Sequence, residues 1–466
     1  MRMFESNVGN VTWMHRPEPD YSRLVWEEAN RFRVHTSAYT DPTVFAAEMK
    51  HIFQKTWVYV GHESQIPESG NFITSYIGNQ PVIVVRDEER QIHVLVNRCV
   101  HRGAVVCREG GGRASEFNCP YHGWVYGLDG KLLAVSERKD AGGYDDAFDA
   151  PEGLFKVPRV ERYRGLIFAS FNPAVQPLVP YLGRAKQFID RKLNFSPEGE
   201  IVLSSKPFVV RYPGNWKFQA ENIVDGYHFM HTHKGFVQLQ MKYGDSTGDF
   251  GVHKGGTPKA MRALRFRGAA WRCENGHGLI EKPLGEVDSL FEGEFGDYQR
   301  ALHDTYGEEE FSFMAGKLSG SIFPNLGLIH NQIRVWRPIA HNMTEVAVYP
   351  YELKGAPDAF NEGMLRSQER FYGPAGHGAA DDVDIFIRNQ QGLEASAVDW
   401  LILERGLSTD APDAGSRDLR GGSTSEAPQR AIWSEWKRLM SAGADQKPSS
   451  CPSSTGAHDA TQEGHH

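Results

Sequence analysis

The sequence predicts an α+β protein in two parts, an antiparallel β domain followed by a larger mixed domain, and three observations carry this. Short β runs alternate with turns from Phe72 to about Phe171. Pro173 to Pro180 places three prolines in eight residues, a boundary signal. Beyond it, strand patterns are interleaved with helical stripes. At 466 residues the chain is too long for one small core, so two domains are the natural division.

In order along the chain, residues 1–40 read as an irregular N-terminal arm. Asp41-Pro42 then supplies a helix cap and a first-turn proline, and Phe45, Met49, Ile52 and Phe53 follow at helical spacing. This helix leads a first domain that spans 41–175. Within it, PVIVVR, the turn Asp87 to Arg90, and IHVLVN read as a hairpin, and GLIFASF as a later strand. The second domain spans 176–440. Strands are expected at FVVRY, at GLIHNQIRVWRP and at TEVAVYPY, and helices near 360–372 and 430–440, where Ile432, Trp433, Trp436 and Met440 share a stripe. Residues 441–466 are rich in Ser, Gly and Ala and nearly free of large apolar side chains, the composition of a disordered tail.

The net charge of −8 comes from 59 acidic and 51 basic residues without a basic block, which argues against a nucleic-acid partner or an anionic membrane surface. No apolar run reaches the roughly 20 residues that span a bilayer, and MRMFESNVGNVTW lacks the apolar core of a signal peptide, so a cytoplasmic protein is expected. Five cysteines, unevenly placed, do not make a disulfide framework and direct attention to metal or redox chemistry.

Cys99-Val100-His101-Arg102-Gly103 is followed, after residues 102–118, by Cys119-Pro120-Tyr121-His122-Gly123-Trp124. Two loops each offer a thiolate and an imidazole, a set that suits zinc or an iron–sulfur cluster. The strands before Cys99 and the turn at Leu128-Asp129-Gly130 place both loops at the tip of the β domain. Arg102, Gly103 and Gly123 fit loops whose backbone amides approach bridging sulfides. Cys107, Cys273 and Cys451 have no matching histidine, and Cys107 reads as a structural thiol. The two segments resemble the CxHRG…CPYHGW signature of Rieske ring-hydroxylating oxygenases. In a Rieske [2Fe–2S] centre two cysteines hold one iron and two histidines the other, a role the resemblance gives to Cys99, Cys119, His101 and His122.

A second concentration of polar residues runs from Asn215 to His233 and starts as a helix. Asp225 and His228 stand at i and i+3, which on a helix is one face. His233 is five positions after His228, about 140° round an ideal helix, so both imidazoles reach one metal only where the helix ends or bulges. His231 competes with His233. The pattern NWKxxxENxxDxYHxxxxH is similar to the mononuclear-iron segment of the same family, which makes His228 and His233 iron ligands and places Asn222 and Tyr227 near the iron. Phe371-Tyr372-Gly373-Pro374-Ala375-Gly376 and the acids after it resemble the family's FGPAG…DD segment, which implies Asp382 as the third ligand of a two-histidine, one-carboxylate Fe(II) site. Asp381 and Asp384 are rivals, with helix capping as an ordinary role for either.

The resemblance covers about residues 40–440 and implies a Rieske β domain followed by a helix-grip (START-like) catalytic domain. It further implies a homotrimer, with or without a small β subunit, in which electrons pass from His122 of one subunit through Asp225 to His228 of the next. O2 is the co-substrate, and an NAD(P)H-dependent reductase, with or without a ferredoxin, is the donor; the chain itself carries no flavin or nicotinamide motif. The segments ENIVDGYH and NQIRVWRP resemble the branch that acts on aromatic carboxylates such as benzoate and salicylate. A carboxylate calls for an arginine; Arg262, Arg265, Arg267, Arg272 and Arg334 are the choices, and the sequence singles out none. Aromatic hydrocarbons and demethylation are other chemistries of the family. A simple Rieske electron carrier would leave the second motif without a task, and a zinc-stabilised helix-grip binding protein would be colourless.

Overall fold

The alternating apolar residues of PVIVVR and IHVLVN form the centre of a four-stranded antiparallel sheet, ordered Ile92–Val96, Gln80–Arg86, Asn71–Ile77, Gly111–Arg113. The turn between the first two strands closes as the sequence predicts: Asp87 Oδ1 accepts the N–H of Gln91 at 2.7 Å, and Arg90 takes a φ of 62°. The computed structural model describes residues 19–140, 142–203, 206–243, 268–284 and 287–441. Residues 442–466 of the expected tail, with Cys451, and Arg262, Arg265 and Arg267 lie outside the described residues.

A second sheet, Phe117–Asn118, Val125–Tyr126 and Leu132–Ala134, turns at Leu128-Asp129-Gly130 as expected, and a third joins Arg159–Tyr163, Leu166–Ser170 and Val58–His62. Between and beneath the metal-motif loops, Phe72, Val85, Leu95, Phe117, Trp124 and Tyr126 form a small core of their own.

The second half is built on a nine-stranded sheet. Its order is Phe208–Tyr212, Met343–Pro350, Gln332–Ala340, Leu326–Ile329, Lys317–Ile322, Gly278–Lys282, Ala269–Arg272, Leu419–Gly422, Ala411–Pro412, antiparallel throughout. Helices Trp216–Asn222, Ala379–Gly392 and Ala427–Leu439 pack on it, the helix-grip arrangement that the resemblance implies. The stripe Ile432, Trp433, Trp436 and Met440 is buried on the last helix. Burial of such a side chain contributes roughly 1.5–3 kcal/mol.

Three readings change. The expected irregular arm contains a hairpin, Val25–Glu28 with Arg31–His35, whose outer edge pairs with Trp400–Ile402. Its buried face is Val25, Phe32 and Val34, a short alternation whose partner strand is remote in sequence. GLIHNQIRVWRP is a hairpin rather than one strand, broken at His330, where φ is 52°. The helix at Pro42–Glu48 is capped by Asp41 as predicted, but the segment it opens packs across the boundary: Phe53 meets Trp216 edge-on and Glu48 pairs with Lys217 at 2.6 Å.

Candidate functional site

The two Cys/His loops share one backbone plan. In each, the cysteine N–H donates to the carbonyl five residues on, and the glycine four residues on donates back to the cysteine carbonyl: Cys99 with Ala104 and Gly103, Cys119 with Trp124 and Gly123. Both glycines sit at positive φ, 77° and 64°, which any other residue adopts at a cost. This turn aims the N–H groups two and three residues on, at His101 and Arg102 and at Tyr121 and His122, towards the two sulfurs. Burial pushes both thiols up. At Cys99 the Tyr126 hydroxyl, 3.0 Å away, and those backbone donors reverse this and favour the thiolate, while Cys119 stays raised.

The imidazoles of His101 and His122 lie with ring centroids 4.6 Å apart. Trp124 stacks on His101 at 4.8 Å and Tyr121 on His122 at 3.8 Å, fixing both rings. His101 Nδ1 is buried and has no hydrogen-bond partner, the state of a nitrogen reserved for a ligand bond. Among the described residues only His228, His233 and Asp382 bring three ligand atoms within 4.8 Å of one another. The Cys/His set is therefore not the compact cage that one tetrahedral zinc needs, whereas a sulfide-bridged pair of irons takes a wider set. Cys107 is set apart, its thiol pushed up to about 11 by burial and 3.3 Å from Glu109, in keeping with a structural role.

The second motif supplies a helix from Trp216 to Asn222, capped by Asn215, whose side chain accepts the N–H of Lys217. Its polar residues divide by direction. Trp216 and Lys217 reach Glu48, at 2.9 and 2.6 Å, and Trp436 joins them there. Glu221 accepts from Tyr39 at 2.6 Å and Trp433 at 2.8 Å. Burial raises the Glu221 carboxyl to about 7. Only Gln219 and Asn222 face the site.

The helix ends before Asp225, so Asp225 and His228 do not share a helix face, which corrects the i, i+3 reading. They meet through a turn: Asp225 Oδ1 accepts the N–H groups of Tyr227 and His228, at 2.6 and 3.1 Å. Asp225 Oδ2 lies 3.7 Å from His228 Nδ1. Burial pushes the Asp225 carboxyl up, but His228 and the two N–H groups more than offset it and hold it below its usual value. Gly226 is required here by space, since a Cβ would stand 1.9 Å from the carbonyl oxygen of Ser423.

With the helix ended, a short turn at Phe229–Thr232 brings His233 beside His228. His233 is 1% exposed, whereas His231 is exposed and packs edge-on with Tyr227. Asp382, in the first turn of helix Ala379–Gly392, completes the group. Its Oδ1 is 3.2 Å from His233 Nε2 and 3.5 Å from His228 Nε2, close to the separation of about 3 Å for ligands at right angles round one ion. Asp381 turns to the far side of His233, 3.3 Å from Nδ1, and Asp384 pairs with Arg388 at 2.6 Å. The Asn222 amide donates to Asp382 Oδ1 at 3.2 Å. Burial lowers the His228 imidazole, but Asp225 and Asp382 outweigh it and raise its pKa. That field equally favours a metal cation.

A cavity opens against Asp382, between the sheet and helix Ala379–Gly392. Phe208, Val210, Val346 and Val348 make its apolar floor, and Gln219, Arg334 and Tyr372 supply polar groups, all three inside segments that the sequence singles out but none given a role there. About 30 Å³ is open, room for one water, so an aromatic ring enters by displacing lining side chains. Of the arginines that the sequence left open, Arg272 is tied to Glu27, while Arg334 lies at the cavity.

Residues 56–145 match the Rieske [2Fe–2S] domain family, and residues 200–441 match the ring hydroxylating alpha subunit (catalytic domain) family. The chain is 34% identical over 410 residues to the toluate 1,2-dioxygenase alpha subunit of Pseudomonas putida, covering 85% of this chain and 87% of that one. It is 32% identical to the anthranilate 1,2-dioxygenase large subunit of Acinetobacter baylyi, covering 83% of each. A solved naphthalene 1,2-dioxygenase with indole in its active site superposes with a TM-score of 0.77 at 27% identity, over 90% of this chain and 94% of that one. The chain belongs to the Rieske ring-hydroxylating oxygenases as their alpha, catalytic subunit, an oxidoreductase of a [2Fe–2S] cluster and a mononuclear iron.

Proposed function

We propose that this chain hydroxylates the ring of an aromatic carboxylate, as a terminal oxygenase, with Cys99, His101, Cys119 and His122 holding the cluster and His228, His233 and Asp382 the iron. The observation that carries the assignment is the meeting of two imidazoles and one carboxylate, from two separate helical segments, beside a cavity with an apolar floor. Supporting the substrate class, relatives carry the names of toluate and anthranilate oxygenases, and both substrates are aromatic acids.

When bound, the iron supplies O2 chemistry and the cluster supplies electrons. The chain's own residues arrange the rest. Asp381 orients His233 from its outer nitrogen, as partners of metal-binding histidines do, and Asn222 fixes the Asp382 carboxylate. Asp225 is assigned as the link from the partner subunit's His122 to His228. In support, Asp225 keeps about a third of its side chain open and neighbours the exposed Tyr227, while Tyr121 beside His122 is also exposed. A route between two copies needs such open ends.

The division of labour follows segments 41–175 and 176–440, in a homotrimer that accepts electrons from an NAD(P)H-dependent reductase, with or without a ferredoxin, and with or without a small β subunit. The cytoplasm is the proposed location. No helix of the described residues is long and apolar enough to cross a membrane, and none of the described cysteines is in a disulfide, which suits a reducing compartment. The test is turnover of a panel of aromatic acids and neutral aromatics under 18O2, with a reductase supplied. Label in the ring of a hydroxylated acid is expected; labelled products from neutral aromatics alone would reject the substrate class.

A further inference from the structure

Four arginines are buried among the described residues: Arg86, Arg191, Arg334 and Arg430. Three are paired with acids. Arg86 meets Glu63 at 3.1 Å, Arg191 meets Glu281 at 2.7 Å and Glu310 at 3.0 Å, and Arg430 meets Asp410. That is the expected state, since a buried cation without a counter-ion is costly. Arg334 is the exception. It is 5% exposed, donates from Nε to Gln332 Oε1 at 3.3 Å, and lies 4.7 Å from the centre of the Tyr372 ring. No carboxylate of the described residues is in ion-pair contact with it.

Its position says where the missing anion belongs. Arg334 stands on strand Gln332–Ala340, paired across to Val348, and lines the cavity that also touches Asp382. The Asp382 charge reaches Arg334 without ion-pair contact, but it is shared with the proposed iron group: with a divalent cation held by two neutral imidazoles and this carboxylate, a net positive charge would stand beside Arg334. Two further donors are unfilled. The Nε2 groups of Gln219, which lines the same cavity, and of Gln332 are buried without a partner. The Gln332 amide is oriented by its contact with Arg334, which takes Oε1 and leaves Nε2 as the spare donor. A buried guanidinium and the unfilled Gln219 amide, both lining one apolar-floored cavity, form a receptor for an acceptor-only, anionic group.

We infer that Arg334 determines specificity by receiving the carboxylate of an aromatic acid in this cavity, with the Gln219 amide as a supporting donor, Gln332 orienting the guanidinium, and the ring held over the apolar floor towards Asp382. The inference rests on the proposed substrate class and deepens it. The guanidinium fork matches a carboxylate with two parallel hydrogen bonds, and the neutral amide of the same acid loses both the charge and one acceptor.

The experiment is calorimetric binding of benzoate and of benzamide to the metal-loaded enzyme, without reductant, for the wild type, Arg334→Gln and Arg334→Lys. Wild type is expected to bind benzoate at least about tenfold more tightly than benzamide. Arg334→Gln should weaken benzoate about 100-fold and leave benzamide within about threefold, and Arg334→Lys should fall between, as a point charge without the fork. An unchanged benzoate affinity in Arg334→Gln overturns the inference, as does equal weakening of both ligands, which marks a structural role. Should Arg334→Gln not fold, an unchanged benzoate-to-benzamide ratio in Arg334→Lys overturns it equally. Wild-type enzyme that binds toluene and benzamide but no aromatic acid overturns the substrate class itself, an outcome distinct from benzoate binding that ignores Arg334.

Discussion

Asp225 is held by two backbone N–H groups, one of them that of His228, and its other oxygen lies 3.7 Å from His228 Nδ1, so its charge can be removed with little change of shape. Asp225→Asn is expected to retain both metals and yet lose nearly all coupled turnover; normal product formation at full metal content would contradict the bridge role. Asp382→Ala removes one of the three proposed iron ligands. Iron content should fall by about one per chain while the visible spectrum of the cluster is unchanged. The sequence made these residues legible to different degrees. Spacing and flanking residues marked the Cys/His loops, because each loop needs its cysteine, histidine and glycine at fixed positions. The Asp225 to His228 contact was misread as helical, since a carboxylate that caps its own turn has the same i, i+3 spacing as a helix face. Arg334 was not distinguishable from other arginines, because burial without a counter-ion is a property of three dimensions.

Helix Trp216–Asn222 owes its place to a buried carboxylate, Glu48, and a half-buried one, Glu221, that join it to the N-terminal segment and to helix Ala427–Leu439. Burial raises Glu221 to about 7 from an ordinary value of 4.5, so the folded state binds its proton more tightly than the unfolded chain. Its contribution to stability is therefore full below about pH 4.5 and is lost as pH rises towards 7, on the order of a few kcal/mol. Denaturant melts of Glu221→Gln from pH 4.5 to 7.5 should lack that slope; a slope equal to that of wild type would contradict it. Gly226→Ala places a methyl against the Ser423 carbonyl and must displace the turn that carries Asp225 and His228. Loss of mononuclear iron with the cluster retained is the expected reading from metal analysis. Elements with strong periodicity were readable: the stripe at Ile432, Trp433 and Trp436, and the capped helix at Asp41. The hairpin at Val25–Glu28 and Arg31–His35 was not, because its third strand lies at Trp400–Ile402.

At the scale of the whole molecule the two motif-bearing halves are not independent beads. One core runs from Phe32 and Phe53 through Trp216 and Phe218 to Trp433 and Trp436, so the N-terminal segment, the site helix and the last helix stand or fall together. The proposed trimer adds a prediction of its own. Chains carrying Cys119→Ser, which lack the cluster, and chains carrying Asp382→Ala, which lack the iron, should each be inactive alone and recover part of the activity when co-assembled, as one chain's cluster serves its neighbour's iron. The central claim, that a Rieske cluster and a separate iron are bound by one chain, is tested most directly by metal and acid-labile sulfide analysis of anaerobically purified protein, read beside its visible and EPR spectra. The account predicts about three irons and about two sulfides per chain with a Rieske signal. Zinc in place of iron, with no visible absorbance, would contradict it.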